Sequence, residues 1–210
     1  MPTTAPADDV RLLTLDEEVW VAFYDLPSRR FRSIRDNFVQ GEFEAAARDL
    51  DASLSFLRVE AERAPAELKP ALEEVIDRLE ELGAAIESPR VTVADLDAVF
   101  ARTHWLLTQQ YFVLALRSRD EQRHRNAGHY LWATAHHLER SVLWSNARID
   151  RRTVSALESL RDMAARLRDE RNPQSVYRER PIRLAARTIV QVGEHLDRNL
   201  RIRKLIDSEI

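Results

Sequence analysis

The sequence predicts an all-α fold: a helical bundle of about six to seven helices, with two pseudo-repeated three-helix units closed by a C-terminal helix. Three observations predict it. Glycine is scarce, four in 210 residues, so the chain has few of the residues that punctuate strands and long loops. Apolar residues recur at three- and four-residue steps through most of the length, the period of a helix with one buried face. The third observation is an internal similarity that keeps its order across three of those helices.

Residues 1–13, acidic and rich in Pro, Thr and Ala, read as a mobile tail, and residues 14–210 as a single domain. Thr14 is placed to cap a first helix carrying Trp20, Val21 and Phe23. Pro27 is expected to end or kink that helix, leaving a second segment from Ser28 to Val39. Gly41 to Ala61 is amphipathic through Phe43, Ala46, Leu50, Leu54 and Leu57, and Pro65 marks its end. Glu67 to Ile86 follows, with Leu68, Leu72, Val75, Leu79 and Leu82 in the narrow stripe of a helix that packs on another.

Thr92 and Asp95 have the spacing of a capping box ahead of a helix from Val93 to about Ser118. Its run Trp105–Leu116 is the most apolar in the chain. It is too short for a bilayer, which takes about 20 apolar residues, and is read as buried. After a charged elbow, Arg117–Arg125, comes a central helix within Asn126–Ile149, with a core line of Leu131, Ala135, Leu138 and Val142. Asp150 can cap Arg151–Glu170, expected to turn Val154, Leu157, Leu160, Ala164 and Leu167 inward. Asn172-Pro173 breaks the chain. Pro181 then starts a last helix with the stripe Ile182, Ala185, Ile189, Val192, Leu196 and Leu200.

The pseudo-repeats span about 17–87 and 102–172. Ala71–Leu82 matches Ala156–Leu167 at a spacing of 85, which also pairs Trp20 with Trp105, whereas Ala45–Phe56 matches Ala133–Trp144 at 88. Gln40-Gly41-Glu42-Phe43-Glu44-Ala45-Ala46 resembles the start of the second helix of a tetratricopeptide repeat, with glycine at the turn, and Ala127-Gly128-His129-Tyr130-Leu131-Trp132-Ala133 repeats the pattern. The 34-residue period of a true tetratricopeptide array is absent. The duplicated helix pair with a heptad helix after it is similar in pattern to bacterial helical proteins of the YfdX type. That resemblance implies a helical fold and brings no catalytic residues with it.

Composition narrows the function classes. With 32% charged and 44% hydrophobic residues the chain is that of a folded protein. A net charge of −3 gives no basic footprint, so DNA is not an expected partner. The absence of cysteine removes disulfides, thiolate metal sites and cysteine nucleophiles, and fits a cytoplasmic location. The N-terminus lacks the basic-then-apolar order of a signal peptide, and no membrane association is expected.

Five of the six histidines, His104, His124, His129, His136 and His137, fall within one expected hairpin. Glu121-x-x-His124 is half of a ferritin-type di-iron motif, but its second half is missing. His136 and Glu139 are candidates for one mononuclear metal site. Arg123 and His129 have the Arg-x5-His spacing of the helical ribonucleases called HEPN domains. That resemblance implies a phosphate clamp and a general acid/base. No cofactor fingerprint and no Ser/His/Asp pattern stands out.

A second stripe on the central helix, His129, Trp132, His136, Arg140 and Leu143, is the candidate surface for a protein partner or a homodimer, since Trp and Arg favour interface centres. The expectation is a non-enzymatic helical interaction or scaffold protein. The alternative is a HEPN-like RNA-cleaving domain or a histidine-based metal-binding bundle.

Overall fold

A computed structural model of the chain describes the backbone of residues 17–147, 150–169 and 179–209, and the side chains of residues 23–198 within those ranges. The expected tail 1–13, the Thr14 cap, the side chains of Trp20, Val21 and Leu200, and the Asn172-Pro173 break lie outside the described residues. The described residues form seven α-helices and no strand: α1 Glu17–Gln40, α2 Phe43–Arg63, α3 Lys69–Ala84, α4 Val93–Asp120, α5 His124–Trp144, α6 Arg151–Asp169 and α7 Glu179–Glu209.

The sequence expectation divides α1 at Pro27, yet α1 is continuous. Proline inside a helix costs roughly 3 kcal/mol through its missing N–H and its clash with the preceding turn. Here Tyr24, Pro27, Phe31 and Ile34 are all buried, so packing on both sides of the proline holds the helix together. The helix that follows the capping box starts as expected. Thr92 Oγ1 accepts from the Asp95 amide, and the Asp95 carboxylate accepts from the Thr92 amide at 2.9 Å. Asp150 likewise caps α6 by accepting from the Thr153 amide at 2.8 Å. In α6 the inward residue is Thr153, and Val154 is turned out to solvent.

α4 and α5 form the centre. α4 packs against α1, α3, α5 and α7, and α5 against α1, α4, α6 and α7. A helix covered on several sides must be apolar on several sides, which is why α4 buries both Leu96, Phe100 and Leu107 and the small Ala101 and Ala115. One core cluster draws on α1–α4 with Ala133 of α5, and a second on α4–α7, with Trp105, Tyr130, Trp132 and Trp144 packed against both.

The turns before α2 and α5 have the same geometry. Gly41 (φ 76) and Gln122 (φ 58) are left-handed, and the next residues, Glu42 and Arg123, have φ/ψ of −85/62 and −84/67. The Glu42 amide donates to the Asn37 carbonyl, and the Arg123 amide to the Ser118 carbonyl, both at 2.8 Å. Positions 37, 41 and 42 thus correspond to 118, 122 and 123, a constant spacing of 81. At that spacing each of the eight buried residues of α2 falls on a buried residue of α5, from Ala46 on Ala127 to Ala61 on Val142. This register differs from the 85 and 88 read from the sequence, because Ala- and Leu-rich helices match one another at several offsets.

Gly128 is not a turn residue. It lies inside α5, where an added Cβ would meet the Ala164 carbonyl at 2.9 Å, so its smallness serves the close approach of α6.

Candidate functional site

The central helices bring a seam of polar side chains into the interior. His104 and Tyr111 are seven residues apart on α4 and share a face, against which α5 presents His137. His104 Nδ1 and His137 Nδ1 are 2.9 Å apart, so one ring donates and the other accepts. Both rings are fully buried, and the Nε2 atom of each has no hydrogen-bond partner. Burial pushes both imidazoles well below the ordinary 6.5, reinforced by His136 and Arg140 nearby. The pair is therefore neutral and shares one bridging proton.

From His137 the seam continues through aromatic rings. His137 stacks on Tyr111 at 5.3 Å, Tyr111 lies parallel to Tyr130 at 6.2 Å, and Tyr24 meets Tyr111 edge-on at 4.7 Å. The Tyr111 hydroxyl donates to Glu60 Oε2 at 2.8 Å, and Gln110 Nε2 donates to the same oxygen at 2.8 Å. Arg63 closes the arrangement at 3.1 Å from Glu60 Oε1. Glu60 is fully buried, and its burial raises the carboxyl above the ordinary 4.5 against the opposing pull of Arg63.

His136 faces α1. Its Nε2 lies 2.9 Å from Ser28 Oγ and 3.2 Å from Asp25 Oδ1, and its ring stacks on Trp132 at 5.3 Å. Serine, histidine and aspartate are together, but serine and carboxylate approach the same ring nitrogen. A nucleophilic relay needs them on opposite nitrogens, so that the carboxylate orients the ring while the other nitrogen takes the serine proton. Ser28 is also buried. The arrangement joins α1 to α5 and is not a hydrolase triad.

The sequence candidates separate. Arg123 is exposed at the start of α5 and pairs with Glu121, while His129 is 5% exposed. Arg123 precedes the first turn of α5 with non-helical φ/ψ and is held at the surface by Glu121, whereas His129 is buried within the helix. The Arg-x5-His spacing does not assemble a phosphate-facing pair here. His136 is engaged by α1, and Glu139 accepts from Arg161 at 2.8 Å, so the two do not converge. No group of three or more His, Asp or Glu side chains with metal-site geometry occurs among the described residues.

The expected partner stripe is divided. His129 and His136 are buried, Trp132 and Arg140 half-buried, and only Leu143, at 49%, is exposed. The reason is α1, which lies over the His136 part of the stripe.

Asp25, Ser28, Glu60, Gln110 and Tyr111 were not among the sequence candidates. Glu60 had a signal: it falls three residues after Leu57 and one before Ala61, in register with the apolar stripe of α2. Gln110 and Tyr111 sit in the most apolar run, where a polar side chain needs a partner.

Two open surface depressions, about 370 Å³ beside Arg29 and Arg32 and about 480 Å³ beside Phe43 and Arg48, contain none of the seam residues. The fold and seam together define an all-α protein, with seven helices among the described residues and a closed polar interior. No known protein family, characterised protein or solved structure matches the chain. Among the described residues no helix is long and apolar enough to cross a membrane.

Proposed function

We propose that the chain is a non-enzymatic helical interaction or scaffold protein. The observation that supports this reading is how its versatile side chains are used. His104, His137, Glu60 and Tyr111 are fully buried and turned toward one another. Catalysis needs a substrate within hydrogen-bond reach of such groups, and here burial in the helical interior separates them from anything in solution. The surface offered to a partner is the end of the α5 stripe around Leu143, beside the half-buried Arg140.

A photo-crosslinking residue placed at Leu143, with one at the equally exposed Val59 as control, tests the surface. The reading expects one discrete adduct, with a second copy or another protein, from position 143 and none from position 59. In parallel, purified protein is incubated with labelled single-stranded RNA, and no cleavage is expected. Cleavage that disappears in both Arg123→Ala and His129→Ala would overturn the reading in favour of a ribonuclease.

A further inference from the structure

The spacing of 81 that relates the two turns places Phe23 on His104 and Phe56 on His137. Both pairs are helix-to-helix ring contacts, Phe23–Phe56 at 5.0 Å between α1 and α2, His104–His137 at 5.1 Å between α4 and α5. Two phenyl rings therefore suffice for packing at this position. The imidazoles at the second one leave two Nε2 atoms buried without partners. Close packing does not call for that arrangement, and it makes the pair sensitive to one event, the arrival of a proton.

A proton added to the pair puts N–H on both Nε2 atoms, with no acceptor at either. The charged groups around it do not help. On α5 the neighbours are His136 and Arg140, both of which disfavour a positive charge on the pair. On α1 Phe31 presents its ring to His104, and Asp25 is bound to His136. On α2 Glu60 already accepts from Tyr111, Gln110 and Arg63. Glu139 of α5 is held by Arg161 of α6.

The third imidazole is on the same seam. Burial lowers His136 to about 4, although Asp25 pulls the other way. It lies under α1, against Ser28. A metal would need a third donor aimed at the His104–His137 pair, and the described residues supply no such group.

We propose that His104, His136 and His137 form an acid-sensitive latch that holds the α1 face onto the α4–α5 hairpin at neutral pH and releases it as the imidazoles take up protons. The released seam would expose Tyr111, Phe100 and Trp132, an apolar surface with aromatic character. The ligand of the latch is the proton. The moving boundary is the contact made by Asp25, Ser28 and Phe31.

The chain has no cysteine, so a single introduced thiol reports opening. Ile34→Cys places a thiol on the buried side of α1 without replacing a latch contact, and Val39→Cys places one on the exposed end of the same helix. The ratio of their labelling rates cancels the common pH dependence of thiol reactivity. Between pH 7.5 and 5.5 the ratio is expected to rise at least about a hundredfold while helical circular dichroism is retained, since each of three imidazoles can contribute about tenfold. In a His104→Phe/His137→Phe background, which copies the Phe23–Phe56 pair and leaves only His136, the rise should shrink to about tenfold or less.

An unchanged ratio would overturn the latch. So would a rise that appears only together with loss of helix, which is global unfolding, or a full rise in the double-Phe background. If the double variant does not fold, histidine ring signals of the wild-type chain decide. His104 and His137 should stay neutral until the seam opens, and their titration near 6.5 in the closed fold would refute the idea.

Discussion

Trp105 occupies the space that Gly193 leaves open. An added Cβ at position 193 would lie 2.4 Å from Trp105 Cζ2, and the indole Nε1 donates to the Ile189 carbonyl at 2.8 Å. Arg102 lies over the same ring at 4.4 Å and pairs with Asp197 at 3.0 Å. One tryptophan thus fixes how α7 closes on α4.

Gly193→Ala should therefore destabilise the fold. In an open helix alanine would gain about 1 kcal/mol over glycine. The clash with a rigid indole should reverse that, for a net loss of about 2 kcal/mol and a melting temperature roughly 5 °C lower. In a Trp105→Ala background the same substitution should become stabilising. Thermal melts of the four combinations measure the change of sign, and a loss that persists without the indole would refute the packing account.

The left-handed residues of the turns before α2 and α5 should respond oppositely to substitution. Gln122 holds φ 58 with a side chain attached, whereas Gly41 holds φ 76 without one. A left-handed conformation costs a non-glycine residue roughly 1 kcal/mol. Gln122→Gly is expected to stabilise by up to about 1 kcal/mol, and Gly41→Ala to destabilise by about 1 kcal/mol. Urea midpoints check both.

Glu60 is the most constrained charge in the seam. Glu60→Ala strips acceptors from Tyr111, Gln110 and Arg63 and should cost about 3 kcal/mol. Glu60→Gln keeps an acceptor oxygen and should cost less. The pH dependence separates the roles. Because the folded carboxyl lies above 4.5, the folded chain binds more protons than the unfolded one between 4.5 and the folded value. Glu60 therefore makes stability fall as pH rises through that window. In Glu60→Gln that contribution is absent, and stability should rise more steeply with pH, as measured by denaturant titrations from pH 4.5 to 7.

The buried histidines work in the other sense. His104 and His137 are held well below 6.5 and His136 at about 4, so the unfolded chain binds more protons between those values and 6.5. Stability should be fully present above about pH 6.5 and decline as pH falls below it. Replacing His136 by Gln, which cannot ionise, should flatten that decline by up to about 1.4 kcal/mol per pH unit.

Leu138→Asp and His136→Ala compare the two stripes of α5. Leu138 is fully buried on the core line, and an unpaired carboxylate there should cost several kcal/mol, roughly enough to unfold a domain of ordinary stability. His136→Ala loses the Ser28 and Asp25 contacts and the stacking on Trp132, for about 2 kcal/mol. Asp25 remains partly solvated, which limits the loss. A chelator should change neither melt. A chelator effect matching His136→Ala would mean that His136 holds a metal.

By itself the sequence determined the helices and their inward faces. The capping box at Thr92, the core line Leu131–Val142 and the stripe Ala185–Leu196 are local patterns, and a helix is built from local hydrogen bonds and a single period. Tertiary structure decided the rest. Pro27 is tolerated because residues on both sides of it are buried, and Gly128 is small because α6 comes close. Tyr111, which donates to Glu60, is 51 residues from it, and the His136 partner of Ser28 is 108 away. His136 on the second stripe is interior because α1 folds over it. Periodicity tells which side of a helix is apolar, but a polar residue's surroundings depend on which other helix covers it, and that is set by packing between segments far apart in the chain.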